Sequence, residues 1–415
     1  MKKNLFDTVE TYLSNGLQLI TIKKETQLAS LNIGVKVGAV CEEKKERGIS
    51  HFIEHMLFKG TINRTNEELN AALESLGGEY NAYTDYTSTV FNTTTLNEEL
   101  ENSLEYLADL LQHPTFNEEH IEKERGVILA ELRSSKDDVE DLSFQKINDM
   151  AFTNSPLKVD VIGKEAIVRT INKKMITNYY NKFYVPNNTV ITIVSDFEHE
   201  KIIEIVERWF GAWEQKTVEK AVLEFEQNKE KFKITHRDNM EQSTVLYLYT
   251  FKDLTKKEEL ALRVLNHKFG ESSNSILFRE LREDKGLAYD IYTSMDLTTN
   301  LKSLYIYAAV APEDVDDAIK TIDSCIERIK EEIIVFDNNT INIMKKVFKT
   351  AIASTLEDST DLGNYILHQA MDKEELYQFT EDMERLNTIE AKDLYNVARK
   401  VLNRPTVHVL LCHKE

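Results

Sequence analysis

Apolar residues along this chain recur in two rhythms. Over residues 8–40 they alternate with polar ones: Thr8-Val9-Glu10-Thr11-Tyr12-Leu13, a turn at Asn15-Gly16, then Leu17-Gln18-Leu19-Ile20-Thr21-Ile22. That pattern predicts a hairpin, and Ala29–Val37 predicts a third strand. From Gly48 the spacing changes to three and four: Ile49, Phe52, Ile53, Met56 and Leu57 form one buried stripe of a helix. Ser50 is its candidate N-cap and Gly60 its candidate stop. A short amphipathic helix follows over Asn66–Leu76 and ends at Gly77-Gly78. Two Tyr- and Thr-rich strands, Glu79–Thr87 and Ser88–Thr95, come next, and then a helix over Leu100–Gln112. A long helical stretch runs from Asn117 to about Phe152. Beyond Ser155-Pro156 come a helix over Ile176–Phe183, a turn at Pro186-Asn187-Asn188, a buried strand over Thr189–Val194 and a helix over Lys201–Phe210.

Residues 212–232 are charged and irregular and predict a linker. After them the pattern restarts with a strand over Ser243–Thr250, helices over Lys257–Phe269 and Ser275–Glu283, a Gly-led strand over Gly286–Ser294, a strand over Leu304–Val310 and a helix over Asp314–Ile329. Both halves thus read strand, helix, helix, Gly-Tyr strand, strand, helix. A repeat of about 200 residues is a duplicated domain rather than a solenoid, whose periods are about 20–50. The expectation is an α+β fold with one domain over 1–211, a linker over 212–232 and a homologous domain over 233–415, each a mainly antiparallel sheet with helices packed on it.

Composition narrows the function classes. The chain has 415 residues and a net charge of −20, which disfavours nucleic-acid binding because that needs a basic face. Gly and Pro are scarce, at 13 and 5, so disordered tails are not expected. No apolar run approaches the about 18 residues of a membrane span, and the N-terminus shows no signal-peptide pattern. Cys41, Cys325 and Cys412 are far apart and offer no disulfide framework. This fits a reducing compartment, and the expected location is cytoplasmic, without membrane association.

The candidate chemistry lies in His51-Phe52-Ile53-Glu54-His55. On a helix His51 and His55 stand one turn apart on one face, where two imidazoles can grip one Zn²⁺ at about 2.0–2.1 Å. Glu54, beside that face, is better placed to act as a base than as a ligand. His-x-x-Glu-His is the inverted form of the commoner zinc-protease motif. The bland alternative is a pair of core histidines satisfied by ordinary hydrogen bonds. A catalytic zinc usually takes three protein ligands. The other histidines are isolated and form no second spaced pair; a carboxylate from another helix is the other option, with Glu118, Glu119, Glu124 and Glu131 as candidates among which the sequence pattern does not choose. The second half carries no His pair; the matching stretch reads Leu260–His267.

The run His51-Phe52-Ile53-Glu54-His55-Met56-Leu57-Phe58-Lys59-Gly60-Thr61 resembles the signature of the pitrilysin/insulinase family of zinc peptidases, which includes the mitochondrial processing peptidase and bacterial relatives. Glu124-Arg125-Gly126-Val127-Ile128-Leu129-Ala130-Glu131 resembles that family's Glu-x-x-Val-x-x-x-Glu stretch. The resemblance implies two α/β-roll domains and one Zn²⁺ per chain, with Glu131 as third ligand and Glu124 supporting the site from behind. It implies that the edge strand containing Asn81 and Ala82 takes up substrate backbone. It implies that Arg282 and Tyr289, in Phe278–Tyr289, reach substrate from the half without metal. The activity it implies is endopeptidase cleavage of extended peptides or unfolded polypeptides in a closed chamber. A chain of two such domains implies a homodimer, or a heterodimer with a zinc-less homologue. The alternatives are a non-catalytic peptide-binding subunit of a peptidase complex and a different zinc hydrolase on the same motif. Two departures stand out. Lys158 occupies a family glycine position in Pro156–Gly163, and the glycine-rich segment before the Arg/Tyr element is thin, at Phe269–Asn274.

Overall fold

The computed structural model describes residues 6–219, 221, 223–238, 240 and 242–413. In chain order the first half gives β1 (Asp7–Tyr12), β2 (Gln18–Lys23), β3 (Leu28–Val35), α1 (Ile49–Leu57), α2 (Asn66–Ser75), β4 (Glu79–Thr84), β5 (Thr89–Leu96), α3 (Leu100–Gln112), α4 (Glu118–Asp137), α5 (Val139–Ala151), α6 (Glu165–Val168), α7 (Lys173–Phe183), β6 (Thr189–Ser195) and α8 (His199–Phe210). The second gives β7 (Lys231–Asp238), β8 (Ser243–Thr250), α9 (Lys256–Asn266), β9 (Ala288–Asp296), β10 (Ser303–Val310), α10 (Val315–Lys330), α11 (Asn338–Glu357), α12 (Ser359–Asp372), α13 (Gln378–Leu386), α14 (Ala391–Val401) and β11 (Thr406–His413).

Among the described residues, six strands form one sheet in the order β1-β2-β6-β3-β5-β4 and five form another in the order β7-β11-β8-β10-β9. β2–β6 and β7–β11 are parallel; the other neighbours are antiparallel. The run β2-β6-β3-β5-β4 therefore repeats as β7-β11-β8-β10-β9 in both order and strand sense. The fold is α+β and duplicated, as the restarted sequence pattern predicts. Hydrophobic periodicity places β2 and β3 near each other in the chain, but β6 inserts between them.

The first sheet is covered on both faces, and residues alternate between the two because successive side chains of a strand point oppositely. Leu19, Leu31, Ile33, Phe91, Ile191 and Ile193 pack against Ile49, Phe52, Ile53, Met56 and Leu57 of α1 and against α3 and α7. Ile20, Ile22, Val90, Val190 and Val194 pack instead against Leu362, Ile366 and Leu367 of α12. This helix lies close enough to β3 that a Cβ on Gly34 would stand 2.6 Å from Met371 Sδ, and one on Gly363 would stand 2.5 Å from Asn32 Nδ2. In the second sheet, Val245, Tyr247, Ile306, Val407 and Val409 face Leu260 and Val264 of α9. Its opposite face takes α5: Phe144 packs on Tyr305 and Tyr307, and the Ser143 and Thr244 hydroxyls bond at 2.6 Å.

The helices that cover these opposite faces are exchanged between the halves. One compact unit comprises Met1–Arg133, Asp160–Val222 and Ala353–Gln378; the other comprises Ser134–Val159, Leu223–Ile352 and Phe379–Glu415. The exchanged helices are themselves a repeat. The stretch from Asn117 to Phe152 is two helices, not one. α4 ends at Asp137, and Asp138 caps α5 by accepting from the N–H groups of Glu140 and Asp141. In the second half Asp358 caps α12 in the same way, through Thr360 and Asp361, after the equally long α11. A side-chain oxygen that takes the first free N–H groups starts a new helix at that point.

The irregular stretch 212–232 is anchored in its later part. The Glu226 carboxylate accepts from the backbone N–H of Thr153, Asn154 and Ser155, and buried Asn228 donates to the carbonyls of Leu248 and Arg404. The helix expected over Ser275–Glu283 is present, wound as a π-helix over Phe278–Asp284. Among the described residues no helix is long and apolar enough to cross a membrane.

Candidate metal centre

α1 carries the site, and its start is fixed by tertiary contacts. Ser50 is not the N-cap; it lies inside the first turn, and its hydroxyl bonds to Tyr179 Oη at 3.0 Å. The helix N-terminus is satisfied by Glu42, whose two carboxylate oxygens accept from Gly48 N–H and Ser50 N–H, each at 2.9 Å. An anion here also meets the positive end of the helix dipole. Burial nonetheless lifts the Glu42 carboxyl to about 7, against the lowering effect of those hydrogen bonds. Gly48 has φ +96°, and a Cβ there would lie 2.3 Å from the carbonyl oxygen of Ile162. The helix ends at Leu57, and Gly60, at φ +104°, turns the chain away.

His51 and His55 stand one turn apart on one face of α1, their rings edge to face with centroids 4.6 Å apart. α4 crosses beside them and presents Glu124 and Glu131, two helical turns apart. The His55 Nδ1–H donates to Glu124 Oε2 at 3.1 Å, and Lys59 Nζ holds the other Glu124 oxygen at 3.0 Å. This partner on Nδ1 sets the tautomer and leaves the Nε2 lone pair of His55 facing Glu131 Oε2 at 3.7 Å. His51 Nε2 is 3.9 Å from the same oxygen. Both separations are too long for hydrogen bonds. Burial, and then the neighbouring His55, push the His51 pKa down to about 4, so this imidazole stays neutral. Its buried Nδ1 finds no hydrogen-bond partner among the described residues.

The donor set fits a metal. One ligand atom each from His51, His55 and Glu131 lies within 4.8 Å of the other two. Around a tetrahedral zinc, ligand atoms about 2.0–2.1 Å from the ion stand about 3.3 Å from one another, so small side-chain rotations suffice. Lone pairs and a carboxylate that converge without a shared proton call for a cation between them. Of the four glutamates open to the role of third ligand, Glu131 is the one in this cluster, while Glu124 sits behind His55.

Glu54, beside His55 on α1, lies near enough to His55 and Glu131 to feel both. Burial raises its pKa, and Glu131 adds to the rise, while a hydrogen bond from Thr84 and the nearby His55 oppose it. Thr84 is the last residue of β4, and its hydroxyl donates to Glu54 Oε2 at 2.6 Å. β4 is the edge strand of its sheet. Asn81 is exposed there, Ala82 packs against the core beneath α1, and Ala82 N–H donates to Asn81 Oδ1 at 2.9 Å. Arg282 and Tyr289 belong to the other compact unit. Both are exposed, and the Arg282 guanidinium lies 5.2 Å from the centre of the Phe278 ring.

Four supporting residues escape the sequence patterns: Glu42, Lys59, Thr84 and Arg125. Arg125 ties α4 in place by donating to the carbonyls of Val168 and Ile171 while lying over the Phe52 ring of α1. Lys59 had a faint signal, being one helical turn beyond His55. Glu42 and Thr84 had none: Thr84 meets Glu54 from another element, and Glu42 reaches Gly48 and Ser50 from an irregular loop at no recognised capping spacing.

Comparison with known proteins agrees with this geometry. Residues 18–165 match the family model described as insulinase (peptidase family M16), and residues 170–335 match that described as the peptidase M16 inactive domain. An uncharacterized zinc protease of Rickettsia bellii (strain RML369-C) is 30% identical over 323 residues, covering 77% of this chain and 78% of its own. One of Rickettsia felis is 28% identical over 409 residues and covers 96% of each chain. The crystal structure of a protease from Helicobacter pylori shares the fold, with a TM-score of 0.91 at 22% identity over 99% of this chain and 100% of that one. With both halves matched in order and relatives aligned over most of their length, the chain belongs to the insulinase family of peptidases, M16.

Proposed function

We propose that this protein is a zinc-dependent endopeptidase acting on extended peptides or unfolded polypeptide. The observation that carries the reading is the convergence of His51 Nε2, His55 Nε2 and Glu131 Oε2 beside Glu54, at the end of an edge strand. His51, His55 and Glu131 would hold one Zn²⁺ per chain. When bound, zinc supplies Lewis-acid polarisation of a carbonyl and lowers the pKa of water. Glu54 takes the proton of the attacking water and passes it to the departing amine. Its Oε2 is engaged by Thr84, which leaves Oε1 for this work. Burial raises the Glu54 pKa and so makes holding the proton between the two steps less costly. Glu124 keeps the proton of His55 on Nδ1. An extended peptide adds to β4 at Asn81 and Ala82 through main-chain hydrogen bonds, replacing the local bond between these two residues. That mode reads few side chains.

By resemblance, Arg282 and Tyr289 bind substrate from the half without metal, in a chamber completed by a second chain, either another copy or a zinc-less homologue. Light scattering combined with an activity assay separates these arrangements, and an active monomer contradicts both. The central test is Glu54→Gln. The variant should keep stoichiometric zinc by elemental analysis and lose nearly all hydrolysis of a mixed peptide library. Turnover near that of the wild type would refute the mechanism.

A further inference from the structure

The carboxylate of Glu54 is held by a hydroxyl from a different element. Thr84 Oγ1 has one proton to give. Thr89 Oγ1 stands 3.5 Å away, and Glu54 Oε2 stands 2.6 Å away. Thr89 spends its own proton on the carbonyl of Val37 at 2.9 Å. The short contact therefore takes the Thr84 proton, and the direction of the bond is settled. Register fixes the rest. β4 pairs antiparallel with β5, with Thr84 opposite Thr89 and Ala82 opposite Phe91. Side chains alternate along a strand, so Ala82 and Thr84 turn toward α1, while Tyr83 turns away and bonds to Asn364 and His368 of α12. One strand thus offers a free backbone edge to solvent and a hydroxyl to Glu54. A carboxylate at the end of a glutamate side chain turns readily about its last torsion, which is broad and roughly two-fold. A donor on Oε2 picks one orientation and leaves Oε1 outside that bond.

We propose that Thr84 is a positioning residue for peptide hydrolysis: its hydroxyl fixes the orientation of the Glu54 carboxylate and ties it to the strand on which the peptide backbone pairs. This rests on the peptidase reading above. Its consequence is that docking a peptide on β4 and setting the base are one mechanical event, because a shift of the strand carries the hydroxyl with it.

The test compares Thr84→Val, which keeps the shape and removes the hydroxyl, with Thr84→Ser, which keeps the hydroxyl. In the zinc-loaded protein, Thr84→Val should lower kcat on the order of 10–100-fold, the usual scale for an outer-shell hydrogen bond, with KM, zinc content and thermal unfolding unchanged. Thr84→Ser should recover most of the loss. A second readout uses the metal-free protein. The infrared carboxylate band that disappears in Glu54→Gln should shift in Thr84→Val and stay in place in Thr84→Ser. A Thr84→Val variant of an active enzyme with unchanged kcat and an unshifted band would overturn the role of Thr84. So would a loss of activity that tracks zinc content or KM and is not rescued by serine. A correctly folded, zinc-loaded wild type that cleaves no peptide would instead sink the peptidase reading, which separates the two failures.

Discussion

Removing the Glu124 carboxylate probes the metal centre without touching a proposed ligand. Glu124 is 7% exposed, its Oε2 accepts from His55 Nδ1 at 3.1 Å, and its Oε1 faces Lys59 Nζ at 3.0 Å. His55 can offer Nε2 to a metal only while Nδ1 keeps the proton, and the Glu124 carboxylate favours that tautomer and makes the imidazole a stronger donor. In Glu124→Gln the amide oxygen can still accept from Nδ1–H, but the charge is gone and the amide NH₂ faces an ammonium. In Glu124→Ala both contacts vanish. Outer-shell losses of this kind typically weaken metal binding about 10–100-fold, or about 1.4–2.7 kcal/mol. We expect the glutamine variant near the lower figure and the alanine variant near the upper. A separate cost falls on folding. Breaking a fully buried ion pair costs about 3–5 kcal/mol, but the Lys59 side chain keeps 28% of its surface in water, so about 1–2 kcal/mol is expected here. The assay titrates zinc into metal-free protein against a competing chromophoric chelator, with unfolding followed in parallel with and without zinc. An alanine variant that binds zinc within about twofold of wild type would refute the argument that Glu124 sets the His55 tautomer.

Two further outcomes test the scaffold of α1. Burial raises the Glu42 carboxyl from 4.5 to about 7. The folded chain therefore holds this proton more tightly than the unfolded chain, and ionising it across that window opposes folding. Glu42→Gln keeps an acceptor for the helix N–H groups and cannot ionise. Its stability relative to wild type should rise with pH between about 4.5 and 7, by about 3 kcal/mol in all, and level off above. A difference independent of pH in denaturant unfolding would contradict this. Gly48→Ala sets a Cβ 2.3 Å from the Ile162 carbonyl at a φ of +96° and should cost at least about 2 kcal/mol by the same measurement. An unchanged midpoint would show that the 160–163 loop gives way.

The duplicated α+β architecture and the helix with two histidines on one face were legible because both are local. Periodicity of 2 and 3.6 needs only neighbours in sequence, and a His-x-x-Glu-His run has its geometry as soon as it is helical. Glu131 was one glutamate among several until resemblance singled it out; packing of α4 across α1 then set it beside both imidazoles. The break at Asp138 was missed because α4 and α5 share a continuous helical pattern, while a capping aspartate looks like any other polar residue in a helix. What the sequence determined alone is thus most of the elements through α10 and two of the three candidate ligands; β7, β11 and α11–α14 were not read from it. Tertiary structure decided the rest: β6 between β2 and β3, α5 and α12 each on the other half's sheet, Glu42 at the head of α1 and Thr84 on Glu54. Three of the four depend on groups brought together across tens to hundreds of residues, and Glu42 reaches the N–H groups of Gly48 and Ser50 from the irregular loop ahead of α1; in each case burial and hydrogen bonding select the partner and the one-dimensional pattern carries no record of the choice.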